Sequence, residues 1–273
     1  MELSIYTFAD EAYVPALVGL LNSLRHAGFR GPVHVGSDVP LSLSADPCAA
    51  DVRFHVLGPS AYSPVNRKAE LLLSHPSPRP AFVDADVVVT NGDFLEALLR
   101  LTSSAPVFVI EAVLPSLDHR RRRWSERLGT PARPAQWPSY YFNSGLFAVD
   151  FERDRALLQA WHDALQRVLR PPAHIYEDAD FLMPDQDVLN AVLQDWRGPL
   201  TTIGPPDVWQ AASPPHPFLQ LGSFPLFPPA LSALHGARQA LEAATGAAAQ
   251  ADVLRPALVP SRGGGARTVA IRA

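Results

Sequence analysis

At 273 residues, with 47% hydrophobic and 18% charged side chains, the chain is long enough for one sizeable α/β core plus an appendage and does not have a disordered composition. A net charge of -4 argues against a nucleic-acid-binding surface, and no apolar run approaches the ~20 residues that cross a bilayer. Cys48 is the only cysteine, which excludes internal disulfides and cysteine-based zinc clusters and makes a reducing, cytoplasmic setting the expectation.

Leu3 to Phe8 is a short apolar run of β-formers, followed by Asp10 and Glu11 and then by Val14, Leu17, Val18, Leu21 and Leu24 at helical spacing. Gly28 is placed to end that helix. Strand-like runs follow at 32–36 and 52–57, then a helical stretch from Asn66 to His75. This is βαβ alternation, which predicts a mostly parallel central sheet with helices on both faces. Residues 81–83 and 87–89 form a nearly continuous apolar stretch around Asp84 and Asp86, as in a strand buried on both faces.

Phe94 to Leu101 returns to helical spacing; 106–110 and 140–149 read as strands, and 153–169 and 187–196 as helices. The polar segment between the two strands, with Arg120 to Arg123, Trp124 and Trp137, is too long for a tight turn and is expected to be a functional loop or lid, whose arginines either form a solvated face or, with Trp124 or Trp137, contact an anionic or sugar acceptor. The prolines of 205–229 predict an extended wrap over the core. From Ala237 the sequence is rich in alanine and glycine, so 237–273 is expected to be a mobile tail behind a catalytic domain of 1–236.

Two carboxylates inside an apolar run are costly unless something cationic sits beside them. Acids at the end of a central strand face the crevice where open α/β sheets bind ligands. A divalent ion held by Asp84 and Asp86 could bridge the two phosphates of a nucleotide sugar. Alternatively the pair merely forms a turn.

Four separated segments then match, in order, the pattern of glycosyltransferase family 8: Asp10 to Leu17; Lys68 ahead of Phe82-Val83-Asp84-Ala85-Asp86; Phe142-Asn143-Ser144-Gly145-Leu146-Phe147; and Asp185-Gln186-Asp187-Val188-Leu189-Asn190. Over about residues 3–236 the chain resembles that family, whose GT-A fold is a Rossmann-like nucleotide-diphospho-sugar transferase fold. The resemblance implies a metal-dependent transfer of a hexose from a UDP-sugar, with Mn²⁺ or Mg²⁺ as cofactor and retention of anomeric configuration. It implies that Ala9, Asp10 and Tyr13 hold the uracil, that Lys68 reaches the donor, and that Asp84, Ala85 and Asp86 form the metal and diphosphate site. Asn143 would bind the donor sugar, and Asp185 or Gln186 would lie beside the anomeric carbon; Asp185 could equally cap the helix that follows it. The family's third metal ligand is a histidine whose nearest counterpart is His235, in Leu234-His235-Gly236-Ala237-Arg238, where the family's later Lys-Pro-Trp is missing.

The acceptor, whether saccharide, peptide, lipid or natural product, is not readable. Two rival readings remain at this stage: a haloacid-dehalogenase-type phosphatase with Asp84 as nucleophile, and a nucleotide-sugar-binding protein without turnover.

Overall fold

The structure, a computed structural model, describes residues 3–41, 51–60, 62–89, 92–113, 118–133, 138–169, 180–203, 219–221 and 268–271. Its elements are, in chain order, β1 (Ser4–Phe8), α1 (Val14–His26), β2 (Val33–Ser37), β3 (Val52–Val56), α2 (Lys68–Ser74), β4 (Pro80–Val83), β5 (Val87–Val89), α3 (Asp93–Leu101), β6 (Val107–Val113), α4 (His119–Leu128), β7 (Tyr140–Ala148), α5 (Phe151–Val168), α6 (Pro184–Asp195), β8 (Thr201–Ile203), β9 (Leu219–Leu221) and β10 (Thr268–Ile271).

Seven strands form the central sheet in the order β3-β2-β1-β4-β7-β6-β8. Only β7 runs against its neighbours; the pairs β3 with β2, β2 with β1, β1 with β4 and β6 with β8 are parallel. Successive side chains of a strand point to opposite faces, and this alternation divides the core in two. Tyr6, Phe8, Phe82, Phe108 and Phe147 face α2, α4, α5 and α6, where Phe82 and Phe147 stack at 5.5 Å. Ile5, Val33, Val35, Ala81, Val83 and Val107 face α1 and α3 on the other side. Both faces are covered, which is why the strands read as unbroken apolar runs.

Local signals set the helix ends. Pro15 sits in the first turn of α1, where it loses no intrahelical donor, and Gly28 follows the helix at φ +83°. Buried Arg67, just before α2, donates to Asp38 (2.5 Å), to Gly58 O (2.7 Å) and to both carboxylate oxygens of Glu70, tying the ends of β2 and β3 to the start of that helix.

Two expectations are corrected. The apolar stretch around the acids is not one strand: β4 ends at Val83, the chain turns through Asp84 to Asp86 with Val87 N–H donating to Asp84 O (3.0 Å), and β5 belongs to a separate sheet with β10 and β9. A strand carrying both carboxylates, two residues apart, into a doubly covered sheet would bury both charges on one face, and the turn avoids this. Ser23 of α1 steadies β5, its hydroxyl accepting from Val89 N–H (3.0 Å). Residues 268–271 of the tail thus pair with the strand that leaves the acidic turn.

The arginine-rich segment is not a lid but the helix α4. Asp118 caps it by accepting from Arg120 N–H (2.9 Å), and Gly129 ends it at φ +68°. Trp124 is fully buried and donates from Nε1 to Asp180 O (2.8 Å), while Arg121 is buried against Pro138 O and the Gln194 amide. Burial lowers the Arg121 guanidinium to about 10. Trp137, the proline-rich 205–218 stretch and His235 lie outside the described residues.

Candidate active site

Three of the four segments matched in the sequence meet at the carboxyl end of β4. Lys68, the first residue of α2, lies buried with Nζ 2.9 Å from Asp84 Oδ1, 3.0 Å from Asp185 Oδ2 and 3.3 Å from both oxygens of Ser144. The Ser144 hydroxyl also donates to Asp185 Oδ2 (2.6 Å). Burial opposes a charged ammonium here, but the Asp84 and Asp185 carboxylates outweigh it and hold the lysine above its ordinary range. Exposure rises outward, from 3% and 7% for the Lys68 and Asp185 side chains to 39% for Asp84, so the triad is anchored inside and opens to solvent at Asp84.

Asp185 therefore does not cap α6. Met183 occupies the cap position, and Asp187 answers for it by accepting Met183 N–H (3.0 Å). Asp187 also accepts the Tyr141 hydroxyl (2.7 Å). Burial pushes both of these groups above their ordinary ranges.

Next to the triad lies a row of amides. Gln186 Oε1 accepts Ser144 N–H (3.2 Å), and its Nε2 donates to Glu111 Oε2 (2.7 Å). Asn143 Nδ2 donates to the same Glu111 oxygen (3.0 Å), and Asn143 Oδ1 accepts Gly145 N–H (2.6 Å). Both amides are thus fixed in orientation by one carboxylate. Asn190 pins the back of the row by bonding both backbone groups of Phe142 at 2.8 Å.

Gly145 permits the closest approach. Asp84 N–H donates to Gly145 O (2.8 Å), and a Cβ at this position would collide with Asp84 Oδ2 and press on Asn143 Oδ1.

Glu111 was not singled out in the sequence. Its signal was nonetheless the one that marked Asp84 and Asp86: a lone acid within an apolar strand, here Val107 to Val113. Ala9, Asp10 and Tyr13 stand at the carboxyl end of β1, the parallel neighbour of β4, and so at the same sheet end as the triad. Ala9 is buried, Asp10 accepts Tyr13 N–H (3.0 Å), and Tyr13 is 47% exposed. Ala85 is buried in the turn and Asp86 is half-buried.

Among the described residues no group of three or more His, Cys, Asp or Glu side chains forms a metal cluster. The donor set still suits a divalent ion: two carboxylates of one solvent-open turn, beside a glycine that leaves the space over Asp84 clear, are hard oxygen ligands of the kind that retain positions for water or phosphate.

A mostly parallel sheet with one reversed strand, helices on both faces and an acidic turn after the fourth strand is a GT-A-type fold. Of solved structures, the chain resembles the bifunctional glycosyltransferase WbbM, at a TM-score of 0.50 and 16% identity over 76% of this chain; it spans only 39% of that protein. An active-site mutant of LgtC (TM-score 0.49, 14% identity, 74% of this chain and 72% of that one) and the glycosyltransferase GlyE of Streptococcus pneumoniae TIGR4 (0.47, 12%, 74% and 45%) also align. No family model and no curated protein matches the sequence.

Proposed function

We propose that the chain is a glycosyltransferase moving a hexose from a UDP-sugar to an acceptor with retention of configuration, assisted by Mn²⁺ or Mg²⁺. The observation that supports it is the convergence of Asp84, Ser144 and Asp185 on the Lys68 ammonium at the sheet end where α/β folds bind nucleotides. Asp84 and Asp86 would hold the ion, with His235 as the further ligand. When bound, the ion supplies positive charge to the leaving diphosphate.

The chain's own groups do the rest. Ala9, Asp10 and Tyr13 bind the base. Lys68 holds the Asp84 carboxylate in place. Asn143 and Gln186, oriented by Glu111, present fixed amide dipoles to the sugar, and Asp185 adds negative charge where an oxocarbenium-like centre would develop.

The test is a panel of UDP-sugars with Mn²⁺, scored for UDP released by slow transfer to water. Release from one hexose donor, falling by orders of magnitude in Asp86→Asn, is the expected result. Tight UDP-sugar binding without release across a wide acceptor panel would instead make the chain a non-catalytic binder. Mg²⁺-dependent release of phosphate from an aryl phosphate would make it a phosphatase.

A further inference from the structure

Away from this site, one cluster has no part in the proposed chemistry. Tyr6 of β1 stacks on His34 of β2 (centroids 4.4 Å apart, planes 5° apart), His34 lies beside His55 of β3 (5.1 Å, 8°), and His55 stacks on His75 at the end of α2 (3.8 Å, 29°). The Tyr6 hydroxyl closes the row by donating to His75 O (2.5 Å). Four rings from four elements therefore line up across the open edge of the sheet.

We propose that this ring stack is an acid-sensitive latch that holds the edge strand β3 on the sheet. Among the described residues β3 pairs only with β2, and Phe54 and Val56 are 40% and 51% exposed, so apolar burial contributes little to keeping it in place. At the centre of the strand, His55 Nε2 and His34 Nδ1 stand 2.9 Å apart. Only one proton fits between two ring nitrogens at that distance, so the link is lost once both imidazoles are charged.

The surroundings oppose a second proton. His34 is 6% exposed, and its Nε2 has no protein partner. The groups facing it are Tyr6 from β1, His55 and Arg53 from β3, His75 from the end of α2, and Asp51, which is engaged by Arg53 at 2.7 and 2.9 Å. Burial, then His55, Arg53 and His75, lower His34 to about 4, with Asp51 alone pulling upward. Burial followed by His75 and Arg53 also lowers His55.

The sign follows from linkage. Folded values below the ordinary 6.5 mean that the unfolded chain binds more protons between the two, so the latch is fully closed above about pH 6.5 and weakens as pH falls toward 4. For His34 alone, the folded-to-unfolded ratio drops roughly twentyfold between pH 7 and pH 5. Opening would also reach the candidate active site. Leu57 O and Gly58 O, just past β3, accept from Arg67, the residue before Lys68.

The latch does not depend on the transferase reading. It is tested on the full chain by NMR titration of the imidazole signals and by amide exchange, corrected for intrinsic rates, at pH 7 and pH 5. The expected result is that His34 protonates well below the ordinary imidazole range and that protection of residues 52–56 falls at least tenfold more than that of 4–8. In His34→Phe with His55→Phe, which keeps the stacked rings without titrating, the pH dependence of β3 protection should flatten. If that variant does not fold, the wild-type titration decides. An ordinary pKa for His34, or β3 protection that parallels β1 at both pH values, overturns the proposal.

Discussion

Lys68 and Glu111 hold the site from opposite sides, and both can be tested. Lys68 is a buried cation between two carboxylates, and taking one partner from such a group leaves the others uncompensated. Lys68→Met is expected to cost on the order of 3 kcal/mol in urea unfolding, together with nearly all UDP release. Unchanged unfolding would mean that the ion pair does not hold in solution. Glu111 orders two amides at once. Glu111→Ala removes the one oxygen that accepts from both of them. Turnover should fall on the order of a hundredfold with stability nearly unchanged, because misoriented contacts cost rate more than folding. A rate within twofold of wild type would remove Glu111 from the site.

The elements differ in how openly their sequences declare them. α1 announces itself through apolar spacing, a proline in the first turn and a glycine past the end. α4 carries the same punctuation in Asp118 and Gly129, but its run of arginines hides the apolar stripe of Trp124 and Leu128 four residues apart. The tertiary partners Asp180, Gln194 and Pro138 make it a packed helix. Asp118→Ala should therefore cost about 1 kcal/mol through the lost cap, and Trp124→Ala about 3–5 kcal/mol through the cavity, with the specific activity of the folded fraction retained. Loss of activity at full stability in either variant would restore the lid. The acidic turn is the second such case. Periodicity cannot distinguish one strand from two strands in different sheets, because both are apolar throughout.

At the scale of the molecule, the sheet collects the ends of β1 and β4 on one side and the returning β7 and α6 on the other, so a ligand seated there touches elements from the whole described core. Binding to such a site stabilises the entire fold. With Mn²⁺ and UDP each in about hundredfold excess over its Kd, the unfolding free energy should rise by about 2.7 kcal/mol or more, read as a thermal shift that EDTA reverses. Asp84→Asn should abolish the shift. A shift of equal size in EDTA would show nucleotide binding that needs no divalent ion. No helix among the described residues is long and apolar enough to cross a membrane.

The sequence alone carried the βαβ order, because strands covered on both faces must be apolar throughout and helices covered on one face must repeat at 3.6 residues. It also exposed Asp84, Asp86 and Asn143 as polar groups where burial would penalise them, while Asp185 entered only through the family resemblance. It could not say which of these groups share a partner. That Asp185 answers Lys68 and does not cap α6, that Glu111 governs both Asn143 and Gln186, and that three histidines scattered from β2 to the end of α2 form one stack with Tyr6 are facts of register and topology. Pairing energy depends on distances between residues far apart in the chain, and only the folded sheet sets those distances.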